Sequence, residues 1–134
     1  MVAYSFNKRF AAPILAGTKR QTIRAHGKRR HAASGQTLQL YTGMRTRSCK
    51  LVARAVCLST CEVRLLLATD LVRIDGKARY SFSRDLDAFA YRDGFANWGD
   101  LKDFWRAEHG SSVVDFEGVL VDWGDTAKAP ELAQ

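Results

Sequence analysis

Ile14-Leu15-Ala16-Gly17-Thr18-Lys19-Arg20-Gln21-Thr22-Ile23-Arg24 reads, from left to right, as a helix end, a tight turn and the start of a strand. A glycine directly after an apolar run is where a helix C-cap belongs. Asn7 stands as the cap of a helix over about residues 8–16, with Phe10, Ile14 and Leu15 facing inward. Pro13 falls inside that span, so the helix is expected to start late or with an irregular turn. Beyond the glycine, the period of a strand over residues 21–24 sends Thr22 and Arg24 to one side and Ile23 to the other. One amine, one hydroxyl and one guanidinium are thereby gathered. Composition alone also allows a plain basic turn followed by an exposed strand face.

Working outward, residues 3–6 alternate as a short strand, and residues 25–35 form a basic, glycine-containing loop with no apolar period. Strands are expected over 37–41, 50–58 and 62–68, and a hairpin over 71–82 turning at Asp75-Gly76. Ser83 or Asp85 can cap a helix to Arg92, and Asn97 or Gly99 opens another to Glu108 that buries Leu101, Phe104 and Trp105. A strand over 113–121 closes the domain. About six short strands with three short helices predict an α+β fold: a small, partly open β-barrel with helices at its rim. The domain is expected over residues 1–123, with 124–134 as a flexible tail.

The chain has 134 residues, 46% of them hydrophobic and 26% charged, which is ordinary globular composition and excludes wholesale disorder. No apolar run approaches the ~20 residues of a membrane span. Asn7, Lys8 and Arg9 interrupt the apolar stretch a signal peptide needs, and three cysteines read as free thiols, so a cytoplasmic protein is expected. Charge is unevenly placed. Residues 1–61 hold twelve bases and no acid, whereas residues 62–134 carry a net −5, for +7 in all. Either this is a solvated surface facing the domain's own acidic half, or the basic part meets phosphate.

The spacing Gly17-x-Lys19-x-x-Thr22-x-Arg24 after a short helix resembles the signature of ASCH domains, members of the PUA-like superfamily. Gly35-x-x-Leu38-x-Leu40 is similar to a later strand of that family, with Gln36 where an aspartate is usual. Asp93-Gly94-Phe95, followed by residues 97–105, resembles its acidic turn and next helix. The resemblance spans about residues 4–121 and implies a PUA-like β-barrel. Threonine at position 22 is similar to the subgroup that hydrolyses the amide of N4-acetylcytidine, which implies Lys19, Thr22 and Asp93 as catalytic residues. Asp93 is one methylene shorter than that subgroup's glutamate. Other ASCH proteins resemble ribonucleases or RNA-binding modules, so the family leaves a ribonuclease or a non-enzymatic RNA binder as alternatives.

Side-chain chemistry is compatible with amide hydrolysis. The nucleophile would be the Thr22 hydroxyl or a water beside it. Lys19 would serve as base if burial or Arg24 lowers its pKa, and otherwise as oxyanion stabiliser. Asp93 would orient Lys19 or relay a proton to the leaving amine. The plainer alternative is an ion pair tying the turn to a helix end. Arg24, Lys28, Arg29 and Arg30 are the expected phosphate contacts, and Trp98, beside a turn, the expected stacking residue, with Trp105 in the core. Cys57, Cys61, His26 and His31 lack metal-site spacing, so neither metal nor cofactor is expected. The expected partner is RNA or a modified nucleoside, with no membrane, and the expected state is a monomer or weak homodimer.

Overall fold

The computed structural model describes residues 1–28 and 30–128. Its strands are β1 (Val2–Phe6), β2 (Gln21–Ala25), β3 (Thr37–Thr42), β4 (Lys50–Leu66), β5 (Leu71–Ile74), β6 (Lys77–Tyr80), β7 (Asp115–Trp123) and β8 (Ala127–Lys128). The α-helices are α1 (Ala11–Ala16), α2 (Ser83–Arg92) and α3 (Trp98–His109).

The 17-residue β4 organises them. Its first half pairs with β3 and β8, and its second half with β5 and β7, so one strand serves both parts of a mixed eight-stranded sheet. The separate strands expected over 50–58 and 62–68 are therefore one. The Ser59-Thr60-Cys61 step reads as a break in sequence, but the chain passes it with a bulge at Cys57/Ser59 that bends the strand without ending it.

The α+β class is as expected, whereas the barrel is not formed. β1 pairs parallel with β3, β2 pairs antiparallel with β7, and no ladder joins β1 to β2 among the described residues. A side chain spans that seam instead: Arg24 Nη2 donates to the Ser5 carbonyl at 2.7 Å.

Asn7 does cap, accepting from the Arg9 amide at 3.0 Å, but the turn it caps is a 3-10 turn over Lys8–Phe10. α1 starts only at Ala11, which puts Pro13 in the first helical turn, where its missing N–H has no intrahelical carbonyl to lose. Phe82, with no side-chain bond, precedes α2 in place of a Ser83 or Asp85 cap, and Asn97 caps α3 through the Asp100 amide at 2.9 Å. The inward faces of sheet and helices share one apolar core that includes Tyr4, Phe6, Leu40, Leu65, Leu86 and Phe89.

The expected free tail is held at its start. Ala127 and Lys128 pair with β4, and Thr126 Oγ1 donates to the Ile14 carbonyl at 3.1 Å. Residues 129–134 lie outside the described residues. Among the described residues, no helix is long and apolar enough to cross a membrane.

Candidate active site

Gly17 adopts φ +80 and ends α1, while the Thr18 and Lys19 amides both bond the Pro13 carbonyl at 3.1 Å. A left-handed residue is cheap only for glycine, and it reverses the chain immediately before the lysine. The reversed turn then docks on the end of α2, because the Arg20 amide donates to the Arg92 carbonyl at 2.8 Å. That contact brings Lys19 beside Asp93, the residue that ends α2.

Lys19 Nζ donates to the Asp93 carbonyl at 2.5 Å and to the Gln21 carbonyl at 2.8 Å. An ammonium on a helix's last carbonyls satisfies acceptors that the helix itself leaves open. The same nitrogen is 3.7 Å from Asp93 Oδ1, within ionic range but beyond hydrogen-bond length. Lys19 is 2% exposed and Asp93 4% exposed, so both charged forms are held away from water. Asp93 Oδ1 is buried with no hydrogen-bond partner among the described residues. The Phe10 and Phe6 rings lie 4.6 and 5.3 Å from the ammonium.

Burial dominates the electrostatics of the pair. It pulls Lys19 down from 10.5 to about 8, with Asp93 pulling the other way and Arg24 adding to the fall. It pushes Asp93 up from 3.8 to about 6, opposed mainly by the charge of Lys19. Two groups whose ordinary values lie far apart are thus drawn toward neutrality from opposite sides.

Thr22 and Arg24 share one face of β2, as expected: Arg24 Nε donates to Thr22 Oγ1 at 3.0 Å. The guanidinium carbon also lies 4.8 Å from the Phe6 ring centroid. Lys19, Thr22, Arg24 and Asp93 all line one cavity of about 730 Å³, despite the separation of Asp93 from the motif in sequence. Gly94, at φ +96, closes the wall behind the pair. A Cβ there would stand 2.8 Å from Phe10 Cδ1 and 2.9 Å from Lys19 Cδ.

Other expected site residues lie elsewhere. Lys28 and Arg30 are exposed and do not line the cavity, and Arg29 lies outside the described residues. Their loop is tied back to the sheet by Tyr4 Oη with His31 Nδ1 at 3.1 Å and by Thr60 Oγ1 on the Ala32 carbonyl at 2.6 Å. Trp98 is buried, and its indole N–H donates to Asp70 Oδ1 at 2.7 Å, so its expected place against a base is corrected to a structural one. Lys102 and Trp98 together hold the Asp70 carboxyl below its ordinary range. Trp105 is buried as expected.

The cavity also has walls the sequence reading missed. Trp105 and His109, one helical turn apart on α3, stack at 4.5 Å, and Phe116 lies 4.4 Å from Trp105. These side chains, with Glu108 and Met44, line the same cavity as Lys19. Their i, i+4 spacing was legible as a helix face but carried no sign that the face borders an opening. The cysteines are free, Cys57 buried and Cys49 exposed. Among the described residues no cluster of three metal-ligating side chains occurs. No family model matches this chain, and no curated protein matches it.

Proposed function

We propose that this chain is an ASCH-type hydrolase that cleaves the amide of N4-acetylcytidine or a closely related modified nucleoside. One observation carries the reading: a buried lysine and a buried carboxylate face each other at 3.7 Å in a cavity large enough for a nucleoside, each with its pKa drawn toward neutrality. The resemblance of Gly17-x-Lys19-x-x-Thr22-x-Arg24 to the ASCH signature supports the same reading.

With a pKa of about 8, roughly a tenth of Lys19 is neutral at pH 7. Two N–H groups of the neutral amine remain on the Gln21 and Asp93 carbonyls, and the lone pair takes the remaining tetrahedral direction. Lys19 then accepts a proton from the Thr22 hydroxyl, or from a water held beside it, as that oxygen attacks the amide carbon. Arg24 sets a positive charge next to Thr22 Oγ1, against the negative charge developing on the amide oxygen. The Lys19 ammonium returns its proton to the leaving amine, and the Asp93 carboxylate stabilises that ammonium meanwhile. Where Thr22 is the nucleophile, a water that gives its proton to the neutral Lys19 then hydrolyses the acetyl-threonine ester, releasing acetate and restoring the hydroxyl.

Product release from N4-acetylcytidine, with circular dichroism to confirm folding, tests the proposal. Lys19→Ala and Lys19→Arg should both abolish turnover, because arginine keeps the charge but stays protonated. Partial activity in Lys19→Arg would make Lys19 an electrostatic stabiliser only. The acid-free residues 1–61 favour a second reading, an RNA-binding module. Absence of product from the parent at high enzyme concentration would put that module in the enzyme's place, and cleavage of an RNA strand would make the protein a ribonuclease.

A further inference from the structure

The cavity opens beside one end of the sheet, where unpaired positive charge collects. In the parallel β1–β3 ladder Phe6 lies opposite Thr42, and in the β3–β4 ladder Thr42 lies opposite Lys50. Lys8, the turn Gly43–Cys49 and Lys50 therefore emerge side by side. Neighbouring strands are spaced by about 4.8 Å, so three strand ends make a row roughly 10 Å wide, broader than one phosphate group.

The row is built rather than loose. Thr46 fixes the turn, its hydroxyl donating to the Gly43 carbonyl at 2.6 Å and accepting from the Ser48 amide at 3.1 Å. Gly43 has φ +65, and a Cβ there would stand 2.7 Å from the Ser48 carbonyl oxygen. Arg45 has φ +68, a conformation that asparagine or glycine adopts with less strain, yet an arginine occupies it. Met44 and Lys8 line the cavity, so the turn is continuous with the site.

Lys8, Arg45, Arg47 and Lys50 are all exposed, and none has an acidic partner among the described residues. Arg9, Arg20, Arg64 and Lys102 do have such partners. Charge left uncompensated along one rim of a cavity is the electrostatic footprint of a polyanion.

We propose that the rim of Lys8, Arg45, Arg47 and Lys50 grips consecutive phosphates of a single-stranded RNA, so that a nucleotide within a strand is held more tightly than a free nucleoside. The identity of the base in the cavity rests on the function proposed above. The grip on phosphate does not.

The test is fluorescence anisotropy with an unmodified, labelled eight-nucleotide RNA, titrated from 50 to 300 mM salt. Each phosphate neutralised on a single strand adds about −0.7 to the slope of log K against log salt. Lys8→Ala/Arg45→Asn/Arg47→Ala should therefore flatten the slope by about 2 and weaken binding at least tenfold at 100 mM salt. Asparagine at position 45 removes the charge while tolerating the backbone conformation. Lys77→Ala/Arg79→Ala, which removes exposed charge from β6, should change binding less than threefold. Equal losses in the two variants, an undiminished triple variant, or no binding by the parent would overturn the proposal. So would a nucleoside 5′-monophosphate that binds as tightly as the RNA. Because the RNA carries no acetyl group, failure here leaves nucleoside turnover standing, and failure of turnover leaves this readout intact.

Discussion

Replacing the buried pair by apolar residues of similar shape, Lys19→Met together with Asp93→Leu, should stabilise the protein at neutral pH while removing activity. A tenfold change in proton affinity corresponds to about 1.4 kcal/mol. Moving Asp93 from 3.8 to about 6 and Lys19 from 10.5 to about 8 means that each charge costs about 3 kcal/mol at pH 7. The double variant strips partners from the Gln21 and Asp93 carbonyls, at about 1–3 kcal/mol each. Because the Lys19–Asp93 attraction is contained in both shifts, their sum is a lower bound on the cost of the pair, and the net gain is on the order of 2 kcal/mol or more, within the range found for buried ion pairs.

The pH dependence is the sharper test, because the carbonyl loss is the same at every pH. The folded-state pKa of Asp93 is raised, so its stabilising effect is fully present below about 3.8 and is lost as pH rises through about 6. The folded-state pKa of Lys19 is depressed, so its effect is present above about 10.5 and is lost as pH falls through about 8. The gap between variant and parent should therefore widen by about 3 kcal/mol from pH 4 to pH 7, then narrow by a similar amount from pH 8 to 10.5. Urea unfolding at half-unit pH steps reads this as a relative shift of roughly 1–2 M in midpoint. A gap that stays constant between pH 4 and pH 7 would refute the reasoning.

Turnover should climb about tenfold per pH unit below about 8 and level off above it, as the neutral fraction of Lys19 saturates; a flat profile between pH 6 and 8 would remove its role as base. Thr22→Ser should retain most activity, whereas Thr22→Val should lose about 10²-fold or more in kcat with folding intact by circular dichroism. Gly94→Ala, which drives a Cβ into Phe10 and Lys19 at a positive φ, should lower stability by about 2–4 kcal/mol in thermal unfolding. Trp98→Phe should cost about 1 kcal/mol through the bond to Asp70 and leave both turnover and RNA binding unchanged.

Local chemistry was legible in the sequence where short-range rules govern it. Gly17 as a left-handed helix end, Asn97 as a cap and the turn at Asp75-Gly76 all depend on neighbours a few residues away. The shared face of Thr22 and Arg24 follows from the two-residue period alone. Contacts set by tertiary packing did not announce themselves. Trp98 reads as a loop-adjacent aromatic until the position of Asp70 is known, and the Ser59-Thr60-Cys61 step reads as a gap until β7 is found running past it. Lys8 and Arg45 are two more basic residues in an acid-free stretch, and only the β1–β3 register shows that the strands preceding them end side by side.

The failure of the sheet to close explains why a cavity exists at all. A small closed barrel fills its interior with its own side chains and leaves no room for a ligand the size of a nucleoside. Here the seam between β1 and β2 stays open, and Ser5 and Phe6 from one strand and Thr22 to Ala25 from the other line the cavity. Gly118 draws β2 the other way, because the lack of a Cβ lets the Arg24 carbonyl approach β7 more closely than any other residue would allow. The side chain of Arg24 then bridges the gap to Ser5, with its guanidinium held beside Thr22. A backbone ladder across that seam would have bound the two strands more firmly, but it would have shut the site. Arg24 joins the strands and leaves the opening to Lys19 and Asp93 in place.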